Sequence, residues 1–413
     1  MGVKGLQTFV NLHCPASLQE IVISDLAAQH PCTHGQQPIL VIDGMAFINK
    51  LHTYYNIDWI YGGQWRQLVE HIKSFIKKLS QYNIKTVLFF DGPPVQEKRK
   101  EWCERRLKKI VDIKNMFSKL SSFDFSKNFF SPAAMGTFLR YIFKFECNCE
   151  VYSSFIEADQ EIAQFAASRK ECFAILSQDS DFYIYNTKPY LSIQDLDLET
   201  LRTKMFVQKI FANKLQIHRN LLPLMSCLSG NDIVPKEWLR AFHQEICHSR
   251  SPRGESIFPN ICRVIKQYRW TGDFSNENEM QHISNVVFRN GQHGGLLADG
   301  IRSYSLQVQA KPTSTSPFHQ VVVGRHRDCT NLPTIYTVLE WQQFDSSEVM
   351  ESVEESGFPI GVFYRPVRQK IYSLILYPNQ PVYEWCAFDG NPLQQPEVVY
   401  SSEPGRYGEF FHT

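Results

Sequence analysis

Acidic residues recur at the ends of apolar runs. Asp43 closes the run PILVID (38–43), and Asp91 closes IKTVLFFD (84–91). Glu157 and Asp159 stand two apart ahead of a helical pattern. Asp179 and Asp181 stand two apart just after the run FAILS (173–177), and Asp232 ends a Gly-Asn-Asp turn sequence. Any one of these, taken alone, is more simply a helix cap or a turn residue. The set argues for more, because seven carboxylates meeting in one cleft would repel one another and raise one another's pKa values. Only cations make such a cluster tolerable. Oxygen ligands suit hard divalent ions, and Mg2+ keeps several waters beside one or two carboxylates. Two such ions roughly 3.5–4 Å apart can activate a water and stabilise the leaving oxygen of a phosphodiester.

Convergence of these acids requires a particular scaffold. The runs 38–43, 84–91 and 173–177 are continuously apolar, as in strands buried on both faces. Between the first two lies a helical pattern over 64–82, with Leu68, Ile72, Phe75, Ile76 and Leu79 on one face. Strands alternating with helices mean parallel pairing, and such sheets bind ligands at the carboxyl ends of their strands. Further along, the patterns predict helices over 97–119, 133–145, 158–170, 203–214 and 219–229, a short strand near 149–155 and a loop over 121–132. Residues 248–256 (HSRSPRGES) read as a linker, and the Asn- and Gly-rich stretch 272–300 has no clear pattern. The runs 318–323 (FHQVVV), 359–364 (PIGVFY) and 370–377 (KIYSLILY) read as strands of a second, smaller unit.

Composition bounds the rest. The chain has 413 residues, 43% of them apolar, so a packed core in more than one domain is expected. Net charge is +1, so any nucleic-acid site must be a local patch. Eleven cysteines without a single Cys-x-x-Cys pair point to free thiols in a reducing compartment rather than to zinc. Neither a signal peptide nor a membrane-spanning run is evident.

The motifs carrying the acids resemble the flap-endonuclease superfamily (XPG/PIN-like): Met1-Gly2-Val3-Lys4-Gly5-Leu6, Ile42-Asp43-Gly44, Phe90-Asp91-Gly92, Glu157-Ala158-Asp159, Asp179-Ser180-Asp181 and Gly230-Asn231-Asp232. The resemblance implies an α/β fold with a mostly parallel sheet flanked by helices. It also implies that Asp43, Asp91, Glu157 and Asp159 hold one Mg2+, or Mn2+ in its place, and that Asp179, Asp181 and Asp232 help hold a second. Seven basic residues lie between Glu97 and Lys109. Glu101–Arg105 and Glu104–Lys108 pairs would make this an ordinary solvated helix. The resemblance instead implies that Lys98 and Arg105, two helical turns apart, clamp the scissile phosphate, with Arg99, Arg106 and Lys109 adding to a nucleic-acid surface. Trp65 and Trp102 are expected to pack. One motif departs from the superfamily: after Asp232 the chain runs Ile233-Val234-Pro235-Lys236-Glu237-Trp238, without the Gly-x-Gly hairpin by which flap endonucleases grip duplex DNA.

A second resemblance covers about 1–240 and 357–398. His13-Cys14-Pro15, Gly62-Gly63-Gln64-Trp65, Glu101-Trp102, Leu228-Ser229-Gly230-Asn231-Asp232-Ile233-Val234-Pro235, Tyr364-Arg365-Pro366-Val367-Arg368-Gln369-Lys370-Ile371-Tyr372-Ser373-Leu374 and Gly390-Asn391-Pro392-Leu393 are similar to the family called constitutive coactivators of peroxisome proliferator-activated receptor gamma. This implies a nuclear protein that coactivates hormone receptors or contacts the transcription machinery, in a family whose relatives bind RNA, and a chain shorter than typical members. No Leu-x-x-Leu-Leu helix is present. Leu221-Leu222-Pro223-Leu224-Met225 comes closest and is expected to be buried. Arg365, Arg368 and Lys370 either dock a receptor or form the polar edge of a strand.

The expected organisation is a flap-endonuclease-like domain over 1–247, a linker and irregular segment over 248–317, and a small β-rich unit over 318–413. The expected function is transcriptional coactivation on a nuclease-type fold. The alternative is an active Mg2+-dependent nuclease acting on single-stranded or structured nucleic acid. A third reading keeps the acidic pocket as a metal-stabilised feature of a binding module.

Overall fold

The computed structural model describes residues 2–33, 35–55, 57, 63–92, 99–119, 135–155, 158–248, 257–289, 293–306, 316–345, 360–376, 379–385 and 395–402. Seven strands form one sheet: β1 (Leu18–Val22), β2 (Ile39–Asp43), β3 (Lys85–Phe90), β4 (Glu150–Ser153), β5 (Cys172–Ser177), β6 (Tyr190–Ser192) and β7 (Arg202–Phe206), in the order β1-β7-β6-β5-β2-β3-β4. The apolar runs sit where continuous burial predicts. β5 is buried at every residue, and β2 at all but Asp43. The pairs β2/β5 and β5/β6 are parallel, whereas β6/β7 and β7/β1 are antiparallel. The result is a mixed α/β fold with a mostly parallel centre and an antiparallel flank. β2 pairs Ile42 with Leu176 of β5, so Asp43 and Ser177 leave the sheet side by side at its carboxyl edge.

Two compact units interleave along the chain. One comprises Met1–Lys50, Ser74–Leu88 and Asp159–Gln309, and the other Leu51–Lys73, Phe89–Ala158 and Ala310–Thr413. The helix Trp65–Gln81 buries the expected Leu68, Ile72, Phe75, Ile76 and Leu79. In the first unit, the stretch read as linker and irregular forms three helices, Ile257–Tyr268, Glu277–Phe288 and Gly294–Arg302. The Asn276 side chain accepts from the Glu279 amide at 3.1 Å, a local cap that starts the middle helix. The predicted helix 203–214 is half strand. Residues 202–206 pair antiparallel with β1, and only Gln208–Leu215 is helical. The partner strand lies far back in the chain, where no local pattern points to it. The loop expected over 121–132 lies outside the described residues, as does all of the 248–256 linker after His248.

The second unit contains a smaller sheet of β8 (Gln343–Asp345), β9 (Pro381–Trp385) and β10 (Glu397–Tyr400), in the order β10-β9-β8. The three runs read as its strands are helical instead: Pro317–Arg327, Ile360–Phe363 and Arg365–Ile375. Their burial explains the misreading. Val322 and His326 are buried four apart, and so are Arg368, Tyr372 and Leu376, while Val321, Ile371 and Leu374 are exposed. β-Branched runs suggested strands, but the buried face has a helical period. Tyr372 and Leu376 pack with Val338, Val382 and Val399 in the core beneath the small sheet.

Candidate metal centre

At the carboxyl edge of β2, the Asp43 carboxylate caps the helix Gly44–Tyr55. Its Oδ1 accepts from the amides of Met45 (3.0 Å) and Ala46 (3.1 Å). Its Oδ2 accepts from the Ser177 hydroxyl at 2.8 Å. Burial is the largest influence on Asp43 and raises its pKa, while the bonds from Ala46, Ser177 and Met45 act against the rise. Ser177 also accepts from the Asp179 amide at 3.3 Å. Asp179 in turn accepts from the Asp181 amide at 2.9 Å, capping the short turn Ser180–Tyr183.

The amino-terminal segment closes over this turn. Gly2 has φ +50°, and a Cβ there would stand 2.6 Å from Oδ1 of both Asp179 and Asp181. Only a residue without a side chain leaves both carboxylates room. The Ser180 hydroxyl donates to the Val3 carbonyl at 3.4 Å, and Val3 and Leu6 are buried.

Asp181 receives a further bond from far along the chain. The Tyr304 hydroxyl donates to its Oδ1 at 2.7 Å and lies 2.7 Å from the Ser226 hydroxyl. Burial first, and then the charge of Asp181, hold the Tyr304 phenol protonated well above its ordinary range. Asp232 is half-buried in a turn built by its neighbour: Asn231 Oδ1 accepts from the amides of Ile233 (3.0 Å) and Val234 (2.8 Å). Asp159 is half-buried in the first turn of the helix Ala158–Ser168. The buried Tyr190 phenol is pushed up by desolvation first, and also by Tyr183, Asp43, Asp195 and Asp159.

The remaining candidates belong to the second unit or lie outside the described residues. Asp91 is exposed after β3, and its backbone carbonyl accepts from Arg140 Nη2 at 3.0 Å. Arg140 is buried, donates to the Ser153 hydroxyl at 3.2 Å, and lies 4.8 Å from the centre of the Phe90 ring. Glu157 and Lys98 lie outside the described residues, as does the Arg99 side chain. Arg105 is exposed and Lys109 half-buried on the helix Arg99–Ser118. Arg106 is 3.5 Å from Asp345 and lies over Trp102, which packs edge-on against Trp385. Trp65 packs edge-on against Phe138. Both tryptophans are therefore packing residues. Among the described residues, no three His, Cys, Asp or Glu side chains are drawn together tightly enough to hold a metal ion.

Three contributors escaped the sequence reading. Ser177 had a usable signal, since it ends the β5 run two residues before Asp179. Tyr304 had none, because it lies 123 residues from Asp181. Arg140 was hidden in a helix by its charge, which usually marks an exposed residue. Burial pushes the Cys147 thiol up to about 11 and the Cys149 thiol up to about 12. Leu222, Leu224 and Met225 are buried, as expected for the near-match to a receptor helix. Arg365 and Arg368 are neither a strand edge nor a free docking pair. Both grip the fully buried Glu384, at 2.9 and 2.8 Å.

The FAM120A-like domain family matches residues 215–308. A constitutive coactivator of peroxisome proliferator-activated receptor gamma from Bos taurus is 26% identical across 97% of this chain and 69% of its own length. The Homo sapiens protein of that name is 32% identical across 76% of this chain. The chain is a homologue of these coactivators. It spans only 34% of the human protein's length. The chain is also similar to the single-strand DNA endonuclease ASTE1 of Pongo abelii, with 25% identity over 70% of the chain and 41% of that protein. Among solved structures, human GEN1 in complex with Holliday junction DNA aligns over 99% of this chain and 92% of its own, at 13% identity and a TM-score of 0.44. Among the described residues, no helix is long and apolar enough to cross a membrane.

Proposed function

We propose that the chain is a nuclear, coactivator-type protein that meets a hormone receptor or the transcription machinery through protein contacts, with RNA as a further ligand. The observation carrying this reading is its similarity, at 26% identity, to a Bos taurus coactivator along 97% of its length. The site geometry supports it too. Asp43 and Asp179 each cap a turn or helix, a structural task that would keep them in place without catalysis. The chain also lacks the Gly-x-Gly hairpin.

The carboxylates still suit a cation. The donors are hard oxygens, which favours Mg2+ or Mn2+, and Gly2, having no side chain, packs directly against Asp179 and Asp181. Asp43, Asp159, Asp179, Asp181 and Asp232 of the first unit are candidate ligands on their motif positions, although no three of them are drawn together tightly enough to hold an ion. A bound ion would neutralise clustered charge and could polarise a phosphodiester. Asp91, Glu157, Lys98 and Arg105 stay candidates on their motif positions alone.

The test incubates purified protein with labelled single-stranded, flap and hairpin substrates in Mg2+ or Mn2+, beside an Asp179→Ala/Asp181→Ala variant. Reporter activation by the two proteins is compared in parallel. The expected result is no cleavage above the variant and equal activation. Cleavage by the parent that the variant loses would establish the nuclease instead.

A further inference from the structure

The two faces of the helix Arg365–Ile375 differ sharply. Its inner face is tied down along its length. Arg368 Nη2 donates to the Gly361 carbonyl and to Glu384, and the Tyr372 hydroxyl donates to Glu384 at 2.7 Å. Gln369 Nε2 donates to the Tyr400 carbonyl at 3.0 Å, and the Ser402 amide donates to the Gln369 carbonyl at 3.2 Å. Tyr372 and Leu376 enter the core beneath the small sheet. These bonds fix the rotation of the helix about its own axis, so the opposite face is held outward. That face carries Tyr364, Val367, Ile371 and Leu374, exposed at 53%, 56%, 45% and 40%. They follow one another at intervals of three, four and three residues, the a/d repeat by which one helix packs along another. A contiguous apolar stripe left in water on a folded unit marks an interaction surface.

Charge and area say what covers it. The stretch 365–375 contains no acid. Arg365 and Arg368 are paired with Glu384 and Glu397 on the inner side. Lys370, exposed at the margin of the stripe, is the outward charge of the helix. Four side chains are too few for a stable dimer, which buries about 800 Å² on each partner. A second copy laid antiparallel would also set Lys370 against Lys370. A carboxylate on the partner would meet that charge instead, and charges flanking a helical seam select partners. We propose that this face docks an acidic amphipathic helix of another protein, about three turns long. Its apolar side would lie on Tyr364, Val367, Ile371 and Leu374, with an Asp or Glu opposite Lys370. This deepens the coactivator reading, and rests on it only in taking the partner to be a protein.

The experiment titrates the full chain into a labelled synthetic peptide and follows fluorescence anisotropy. The peptide is about three heptads long, with Leu at a and d and Glu at e and g. A second peptide carries Lys in place of Glu. The variants are Ile371→Ser, Leu374→Ser and Lys370→Glu, with Val398→Ser, exposed on the small sheet, as the control. Circular dichroism and melting curves establish that each is folded. The parent should bind the Glu peptide more tightly than the Lys peptide, with the gap closing as salt rises. Ile371→Ser and Leu374→Ser should each weaken binding about tenfold. Lys370→Glu should reverse the preference between the peptides, and it decides the outcome if an apolar variant does not fold. Val398→Ser should leave binding unchanged. Failure of the Glu peptide to bind the parent, or equal binding of both peptides, overturns the proposal. So does a parent that sediments as a dimer and becomes monomeric in Ile371→Ser, which would give the face to a second copy. Reporter activation measured alongside keeps the two readings apart. Activation by a parent that binds neither peptide removes the docking face and leaves the coactivator reading. A parent that binds the Glu peptide but activates nothing keeps the face and removes that reading.

Discussion

Two carboxylates among the described residues, Glu384 of the second unit and Asp43 of the first, are treated in opposite ways. Glu384, in the second unit, is fully buried and surrounded by charge. Arg368 donates to both of its oxygens at 2.8 Å, Arg365 to one at 2.9 Å, and the Tyr372 hydroxyl to the other at 2.7 Å. Burial works to raise its pKa, but the two guanidiniums and the phenol outweigh it and hold it below its usual value. Asp43, in the first unit, accepts from two amides and a hydroxyl, and its pKa is raised. One carboxylate is compensated by the protein itself. The other carries a charge that the fold disfavours and that a cation would relieve. The contrast separates an acid compensated by guanidiniums from one compensated only by two amides and a hydroxyl.

The largest test of this contrast is Glu384→Ala. It leaves Arg365 and Arg368 without their shared partner, and removing one member of a buried ion pair costs about 3–5 kcal/mol. Urea denaturation should show that loss in the second unit, and a loss below 1 kcal/mol would deny the cluster its architectural role.

Acid provides the next test. Burial pushes His326 down to about 4, while its ring lies 3.0 Å from the Ser154 carbonyl and stacks on Tyr336. Its folded value lies below the unfolded one, so the unfolded chain takes up a proton first as pH falls. Stability is full above about pH 6.5 and declines by about 1.4 kcal/mol per pH unit towards pH 4. Glu384 adds to this at lower pH, since a depressed carboxylate loses its contribution as pH falls through its folded value. Amide exchange resolved by residue should show the second unit opening in mild acid, and His326→Phe should flatten the profile.

Smaller effects are expected around Asp43. Ser177→Ala removes one hydrogen bond to the half-buried Asp43 carboxylate, worth about 1.5–3 kcal/mol for a charged partner, and should lower the melting temperature. Asp43→Asn keeps an oxygen for the two amides but discards the disfavoured charge. Without divalent ions it should melt a few degrees higher than the parent. With Mg2+ present, the parent alone should gain stability, because only a ligand that binds the folded state raises the transition. An Asp43→Asn protein that responds fully to Mg2+ would remove Asp43 from the candidate site.

Sequence carried much of this picture, and its failures have physical reasons. Asp43, Asp179 and Asp181 follow strands whose apolar runs are buried on both faces, so strand and acid announced each other. β1 and β7 were harder, because Leu18–Val22 and Arg202–Phe206 become strands by pairing with each other across a long stretch of chain. The run 370–377 reads as a strand because the exposed Ile371 and Leu374 obscure the buried period of the helix Arg365–Ile375. Tyr304 could not be found by spacing at all, since a long-range contact with a carboxylate leaves no local mark. Arg368, read as an edge or docking residue, is instead buried against a glutamate that sequence gave no reason to pair with it.

The interleaving of the two units has a consequence for synthesis. Three separate stretches make up each unit, and the first is completed only at Gln309. A nascent chain thus exposes Asp43, Asp179 and Asp181 well before Tyr304 leaves the ribosome. Until then Asp181 lacks the hydrogen bond from Tyr304.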